Sequence, residues 1–302
     1  MSEIAPVPFA SLSGVHVVVN SYGREPRFVE RAVASFLRQR HLPEHIHFID
    51  QNDVPLPLDP RLAAEARFTH HHRPGKVGAR ARNAARELVP AGWIVFCDDD
   101  GYWTEDFSER LKELLESDRP WELIAGAVID ETTGGPYSLR HRIGGKLDTF
   151  LGSKLFPGAN FAIRAETFAR VGGYDVRFGP GAFWPSSEEA DLCWRVITSG
   201  APAVYAPQLR LLHPPLHEDN SHKAAQKAHA YGRGKGALAA KWIFERHHAF
   251  GFLEFAEMSV VPFVNMLRGV LRGDFGQLRI QAAVLRGRYR GFWEFLARKG
   301  AA

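Results

Sequence analysis

A chain of 302 residues, 45% hydrophobic and 24% charged, is ordinary for a globular protein and has room for about two domains of ~150 residues, or one large α/β domain with an appendage. Its net charge of +4 is uneven: from Lys223 to Lys299 there are 14 Lys/Arg against 5 Asp/Glu, a basic final quarter that points to an anionic partner there. The two cysteines, Cys97 and Cys193, exclude a disulfide framework and fit a reducing compartment; Met1 to Leu12 lacks the basic start of a secretory signal; and no unbroken run reaches ~18 apolar residues, so no membrane-spanning helix is expected.

Residues 1–13 read as a loose lead-in, and Val15 to Val19 as an apolar strand. The loop Asn20 to Pro26 follows. Pro26 suits a first helical position, and Phe28, Ala32, Phe36 and Leu37 recur at helical spacing behind it. His45 to Ile49 reads as a second strand ending at Asp50, and Asp53 to Pro60 as a proline-rich loop. The tract Thr69-His70-His71-His72 has the composition of a metal-binding run, but consecutive residues of a strand or helix cannot all face one way.

Lys76 to Glu87 is predicted helical, Trp93 to Cys97 a buried strand, and Thr104 the cap of a helix running to about Glu116. Trp121 to Ile129 is another strand. The Gly-rich stretch 130–157 reads as a mobile loop or lid. Then come a strand at Phe161 to Ile163, a helix at Ala165 to Val171, a Gly/Pro loop at Phe178 to Ser187, a helix at Glu188 to Thr198 stopped by Gly200, and a strand at Ala203 to Tyr205. From about His222 every segment reads helical. A boundary near 218 divides an α/β domain, 1–218, from a basic amphipathic helical extension, 219–302.

Alternation of strands with helices predicts a mostly parallel sheet covered on both faces, and ligands of such sheets sit beyond the carboxyl ends of the strands. Asn20, Asp50 and Asp98-Asp99-Asp100 all fall at such ends. Three carboxylates closing a buried strand are unfavourable without a positive partner, and hard oxygen ligands suit Mg²⁺ or Mn²⁺; a solvated acidic turn is the other reading of the triplet.

Taken together these residues resemble the family 2 glycosyltransferases, inverting enzymes of the GT-A nucleotide-diphospho-sugar transferase fold. The resemblance runs from Val15 to His213. Val15-His16-Val17-Val18-Val19-Asn20-Ser21-Tyr22-Gly23-Arg24 is similar to the opening strand and base-binding loop, and Ser35-Phe36-Leu37-Arg38-Gln39 to the next helix. Phe48-Ile49-Asp50 is similar to the strand whose Asp accepts from the nucleobase, with Gln51-Asn52-Asp53 replacing the usual acidic-glycine-serine run. Gly78-Ala79-Arg80-Ala81-Arg82-Asn83 matches the Arg-Asn helix start, and Asp98-Asp99-Asp100 the DxD metal motif. Gly158-Ala159-Asn160, Val171-Gly172-Gly173-Tyr174-Asp175 and Ser187-Glu188-Glu189-Ala190-Asp191-Leu192 with Arg195 complete the series. Glu189 stands where the family has its catalytic Asp, and His213 where many members have a third metal ligand.

The resemblance implies a metal-dependent hexosyl transfer from a nucleoside-diphosphate sugar to a saccharide or lipid-linked hydroxyl acceptor, in cell-surface polysaccharide or glycolipid synthesis. Asp100, Asp98 and His213 would hold Mn²⁺ or Mg²⁺. Asn20, Tyr22, Arg24, Asp50, Arg80, Arg82, Asn83, Asp98, Asp99, Asn160 and Trp184 would hold the donor.

The base must be a carboxylate on the face opposite the leaving group. Glu189, Asp191 and Glu188 are the candidates, although acids at a helix start are also favoured electrostatically and Asp191 with Arg195 suits a helix brace. Arg80 and Arg82, cations near a helix start, suit a phosphate or a solvated turn. Trp184 suits a sugar face or a core anchor. A non-catalytic nucleotide-sugar-binding module and a sugar-1-phosphate nucleotidyltransferase are the alternatives; the single glycine of the first loop argues against the latter. Arginine beside tryptophan and phenylalanine after Phe252 suits peripheral attachment to an anionic inner membrane face, in an otherwise cytoplasmic protein; packing on the rest of the chain or on a second subunit is the other reading. No nucleic-acid partner is expected.

Overall fold

The computed structural model describes residues 10–137, 143–215 and 222–299; the boundary expected near 218 lies outside them. In chain order the elements are β1 (Ala10–Ser21), α1 (Pro26–Leu37), β2 (His41–Asp50), α2 (Pro60–Ala63), β3 (Phe68–His72), α3 (Gly78–Arg82), α4 (Ala85–Leu88), β4 (Trp93–Asp98), β5 (Tyr102–Trp103) and α5 (Phe107–Leu115). Then follow β6 (Leu123–Asp130), β7 (Gly145–Lys146), α6 (Phe150–Ser153), β8 (Asn160–Arg164), α7 (Ala165–Arg170), α8 (Glu188–Thr198), β9 (Ala203–His213), α9 (His222–Phe244), α10 (Ala249–Arg272) and α11 (Phe275–Lys299). They form two compact units. A sheet unit holds the described residues up to Gly75, Ala81–Gly173 and Cys193–Pro215; a helical unit holds Lys76–Arg80, Tyr174–Leu192 and the described residues from 222 onward.

The sheet unit is one mixed sheet with the strand order β3-β2-β1-β4-β8-β6-β9-β5, and β7 on β9. The expected parallel arrangement holds for β3-β2-β1-β4 and for β6 with β9. It gives way where β8 enters antiparallel between β4 and β6. Residues 10–13, expected as lead-in, belong to β1 and pair with β2, Ala10 opposite His41. The stretch expected to be helical from Lys76 to Glu87 is two short helices, α3 and α4, and the predicted loop 130–157 contains β7 and α6.

Alternation along the strands sorts two faces. Val17, Val19, Phe48, Val95 and Cys97 pack with Val29, Ala32, Val33 and Phe36 of α1 and with Phe107 and Leu111 of α5. On the opposite face Phe96 meets Phe161 and Phe168, at ring separations of 5.0 and 5.3 Å. Burying one such phenylalanine contributes roughly 1.5–3 kcal/mol, and Phe36→Ala would cost about 3–5 kcal/mol through the cavity left behind. A buried polar clamp sets the segment after β4. Ser35 Oγ accepts from Trp103 N at 3.0 Å, while Gln39 donates to Thr104 O and accepts from Ser108 N, both at 3.0 Å. The Ser and Gln at the end of α1 thereby hold β5 and the start of α5.

In the helical unit α9 and α11 approach backbone to backbone. A Cβ added at Gly236 would collide with Arg288 O, one at Gly287 with His229 O, and one at Gly291 with Arg233 O. Only glycine permits that spacing. α10 packs against both helices. It is capped by His248 and ends at Gly273, whose φ of 68° is the left-handed geometry that closes a helix. By length and composition α10 is long and apolar enough to cross a membrane, contrary to the expectation from unbroken apolar runs. Glu254, Glu257, Ser259 and Asn265 interrupt the run without lowering the average enough to matter, and 24 residues rise about 36 Å against a hydrocarbon core of ~30 Å.

Candidate active site

Strand register brings distant residues of the sheet unit to one edge. Asn20 pairs with Ile49 on β2 and with Asp98 on β4, and Ser21 with Asp50. β8 starts at that same edge, with Asn160 opposite Cys97, and β9 ends with His213 opposite Asp130. One ligand atom from each of Asp98, Asp100 and His213 lies within 4.8 Å of the others.

The second-layer bonds orient this group. His213 Nε2 stands 3.0 Å from Asp100 Oδ1, and its Nδ1 lies 2.8 Å from the carbonyl of Pro214 and 2.8 Å from Tyr137 Oη. A ring whose Nδ1–H is spent on a carbonyl presents Nε2 outward, the tautomer a metal-binding histidine needs. Arg24 Nη2 bridges Asp99 Oδ1 at 3.1 Å and Asp100 Oδ2 at 2.9 Å, and Ser21 Oγ donates to Asp99 Oδ2 at 2.6 Å. Arg31 donates to the Asp100 carbonyl at 3.1 Å and to Glu131 at 2.9 Å. Two carboxylates and an oriented imidazole are a donor set that fits a divalent cation.

Burial pushes the Asp99 carboxyl up, against the pull of Ser21 and Arg24. Burial also opposes ionisation of Asp100, but the His213 hydrogen bond and charge and the Arg24 guanidinium outweigh it and hold the carboxyl below its usual range. His213 is the counterpart: burial lowers it, yet the bond to Asp100 leaves it raised.

Asn20 Oδ1 accepts from Arg82 Nε at 2.9 Å and Asn20 Nδ2 donates to Gln51 Oε1 at 3.1 Å, while Arg82 Nη2 reaches Asp98 Oδ1 at 2.8 Å. Tyr22 is exposed at the end of β1. Asn83 lies against Gly173, whose φ of 69° and missing side chain make room for it. Asp50 is fully buried and takes four donors: Asn52 N at 2.9 Å, Asn52 Nδ2 at 2.7 Å, Leu56 N at 2.6 Å and His70 Nε2 at 2.8 Å. Four donors fill a carboxylate, so Asp50 shapes the 51–56 loop. Asn160, also fully buried, donates to Ala127 O at 2.9 Å and Leu209 O at 3.0 Å, bracing the irregular register between β6 and β9.

The remaining expected residues belong to the helical unit. Arg80 is exposed there. Trp184 is not an exposed stacking platform: it is 4% exposed, with rings of Phe178, Phe183 and Phe295 at 5.0–5.2 Å. The Gly/Pro loop folds it inward because an indole buries more apolar area than any other side chain nearby. Glu188 is buried against Gly179, and Glu189 is half-buried at the start of α8, behind Ser187 with its unusual φ of 76°. Asp191 is fully buried, with Lys241 Nζ at 2.5 Å and Trp242 Nε1 at 3.0 Å from its Oδ1. Lys241 also reaches Asp175 at 2.8 Å. Asp191 thus takes an ammonium from α9, and Arg195 donates to Val171 O at 2.5 Å.

Sequence reasoning missed Ser21, Arg31 and Tyr137 around the acidic triplet, and Lys241 behind Asp191. Ser21 is in the quoted opening motif, so its alternation with Asn20 was a usable signal; nothing local marks Tyr137, whose partner is 76 positions away. The histidine tract splits as alternation requires. His70 turns to Asp50, and His71 to His47 on the other face at 3.2 Å.

Comparison with known proteins agrees with this architecture. A sequence model described as Glycosyl transferase family 2 matches residues 16–190. The succinoglycan biosynthesis protein ExoW of Rhizobium meliloti (strain 1021) is 34% identical over 120 residues, which cover 36% of this chain and 37% of that protein, so the match spans little over a third of that relative's length. Among solved structures, the mannosyltransferase PcManGT of Pyrobaculum calidifontis, in complex with GDP-Man and Mn²⁺, superposes with a TM-score of 0.57 at 14% identity over 93% of this chain and 87% of that one. S. aureus TarS 1–349 superposes with a TM-score of 0.55 at 10% identity over 90% and 91%. At such identities the two structures establish the fold, GT-A. Since the family model covers more than half of its length, the chain belongs to glycosyl transferase family 2.

Proposed function

We propose that the protein transfers a sugar, with inversion, from a nucleoside-diphosphate sugar to a hydroxyl of a saccharide or lipid-linked acceptor, as a step in polysaccharide biosynthesis on the cytoplasmic side of a membrane. The observation that carries this reading is the meeting of Asp98, Asp100 and His213 at the carboxyl edge of the sheet. These three would hold Mn²⁺ or Mg²⁺, which when bound supplies charge neutralisation to the departing diphosphate. The similarity to ExoW supports the polysaccharide context. That PcManGT was solved with GDP-Man and Mn²⁺ supports a nucleotide sugar and a divalent metal.

The chain's own residues then have distinct tasks. Arg24 and Arg31 keep the Asp99–Asp100 segment in place from its two sides. Asn20, Tyr22, Arg82, Asn83 and Asp98 are proposed to receive the donor, with Asp50 and Asn160 shaping the backbone around it. Glu189 is proposed as the general base. It accepts the acceptor's hydroxyl proton as that oxygen bonds to the anomeric carbon and the bond to the diphosphate oxygen breaks. Asp191, buried and held by Lys241, serves as a brace, and Glu188, buried against Gly179, is the less accessible acid.

The experiment is a thermal-shift screen of nucleotide sugars with and without Mn²⁺, followed by transfer or donor hydrolysis with the best ligand. Metal-dependent stabilisation by one nucleotide class and release of that nucleoside diphosphate are expected. Binding without any turnover would favour the non-catalytic module, and no stabilisation by any donor would remove the reading altogether.

A further inference from the structure

A broad apolar face of α10 stands open. Leu253, Val260, Val264, Leu267 and Leu271 follow one helical stripe and are 36–79% exposed. Phe252, Val261, Phe263 and Val270 flank it and are exposed as well, and Phe275 at the turn into α11 is 77% exposed. A helix that pairs with another helix needs only a narrow seam; a face this wide suits an apolar phase.

The charges beside it have one sign. Between Met258 and Trp293 the chain carries six arginines, no lysine and a single acid, Asp274, and Asp274 is occupied in accepting from Gln277 N at 2.9 Å. The nearby acids of α10, Glu254 and Glu257, are held by Lys235 at 3.0 and 3.4 Å. A second copy of the chain would therefore meet Arg268 and Arg272 with no free carboxylate from this face. Between α9 and α11 a cavity of about 440 Å³ is lined by Gln226, His229, Arg279 and Arg286 with three alanines. Among the described residues no carboxylate pairs with either arginine. Two guanidinium groups lining one hollow suit a phosphate.

We propose that the α10–α11 hairpin docks on an anionic bilayer, with Leu267, Leu271 and Phe275 entering the acyl boundary and Arg268, Arg272, Arg279 and Arg286 holding lipid phosphates. The surface lies within the helical unit and is distinct from the acidic triplet. It deepens the proposed membrane-held acceptor, yet vesicle binding is read without any transfer, so either idea can fail while the other stands.

The test is flotation of the full-length protein with neutral phosphatidylcholine vesicles and with vesicles rich in phosphatidylglycerol, at low and high salt. Binding at least tenfold stronger to the anionic vesicles, weakened by salt, is expected. Leu271→Glu with Phe275→Glu should abolish it, and Arg279→Glu with Arg286→Glu should remove the anionic preference; all four side chains are surface groups, and circular dichroism confirms folding. Equal flotation with neutral vesicles would overturn the headgroup part. Wild-type protein that stays in the pellet fraction at low salt but self-associates, with Leu271→Glu restoring the monomer, would assign the face to a second copy instead. Stabilisation by inorganic phosphate without flotation would make the hollow a free-phosphate site. Retention of the protein by membranes through an alkaline carbonate wash would replace docking with a crossing helix.

Discussion

His213 Nε2 lies 3.0 Å from Asp100 Oδ1 although 113 positions separate them, and Arg24 closes the other oxygen of the same carboxylate at 2.9 Å. One oxygen thus faces an imidazole and the other a guanidinium, so both oxygens of Asp100 are engaged. Asp100→Ala is expected to leave the fold intact and to reduce the Mn²⁺-dependent part of nucleoside-diphosphate binding at least tenfold, the scale on which metal-site residues act. Calorimetric titration of UDP and GDP with and without Mn²⁺ checks this; an unchanged metal effect would sink the assignment.

Glu189→Gln removes a proton acceptor while keeping shape. Donor affinity should stay within about twofold and turnover should fall ~10²-fold or more. Glu189→Asp is expected to retain much of the rate, since Asp occupies this position in the family. Turnover retained in Glu189→Gln would move the base to Glu188.

The Lys241–Asp191 pair is buried on both sides, so removing one partner strands a charge. Lys241→Met is expected to destabilise the protein by about 3–5 kcal/mol, read from urea midpoints. Asp191→Asn with Lys241→Met should recover part of that loss, which a directly catalytic Asp191 would not do for activity.

Gly236→Ala should destabilise the helical unit by at least ~1–3 kcal/mol, because the added methyl meets the Arg288 carbonyl and the helices must separate. A comparable change at exposed Gly273 acts on a φ of 68° without a clash and should cost only about 1 kcal/mol. Thermal melts of the two variants distinguish packing from backbone strain.

The stacked histidines of β1, β2 and β3 give a pH dependence. His47 is 7% exposed, with His16 Nδ1 and His71 Nε2 at 3.3 and 3.2 Å from its ring nitrogens. Burial and then His45, His16 and His71 lower it to about 3. His16, His45 and His71 are lowered too, chiefly by burial, with Glu44 opposing the shift at His16 and His45, and Arg67 and Arg73 reinforcing it at His45 and His71.

A histidine whose folded pKa is depressed binds its proton more readily when unfolded. Stability is therefore full above the unfolded value of ~6.5 and declines below it toward pH 3, by up to about 1.4 kcal/mol per pH unit for each such group. Urea midpoints at pH 7.5 and 5 should differ, and His47→Gln should flatten the difference. An identical slope in that variant would assign the pH effect to other groups.

Much of the sheet is legible in the sequence for a simple reason: β-branched runs ended by polar residues report burial on both faces, whatever the partners are. Val15 to Val19, Trp93 to Cys97 and the Glu188 start of α8 are read directly from local pattern. The order of motifs likewise carries the family, and with it the GT-A fold. Tertiary structure alone decided which polar residues are occupied. Asp50 and Asn160 match binding motifs, but their hydrogen bonds go to Leu56, His70, Ala127 and Leu209, contacts set by loop closure and sheet register. Trp184 is an aromatic in a Gly/Pro loop in either reading, and only packing against Phe178 and Phe295 made it an anchor. Local sequence fixes which groups are chemically able; the long-range pairing of strands and helices determines which of them still have a free face.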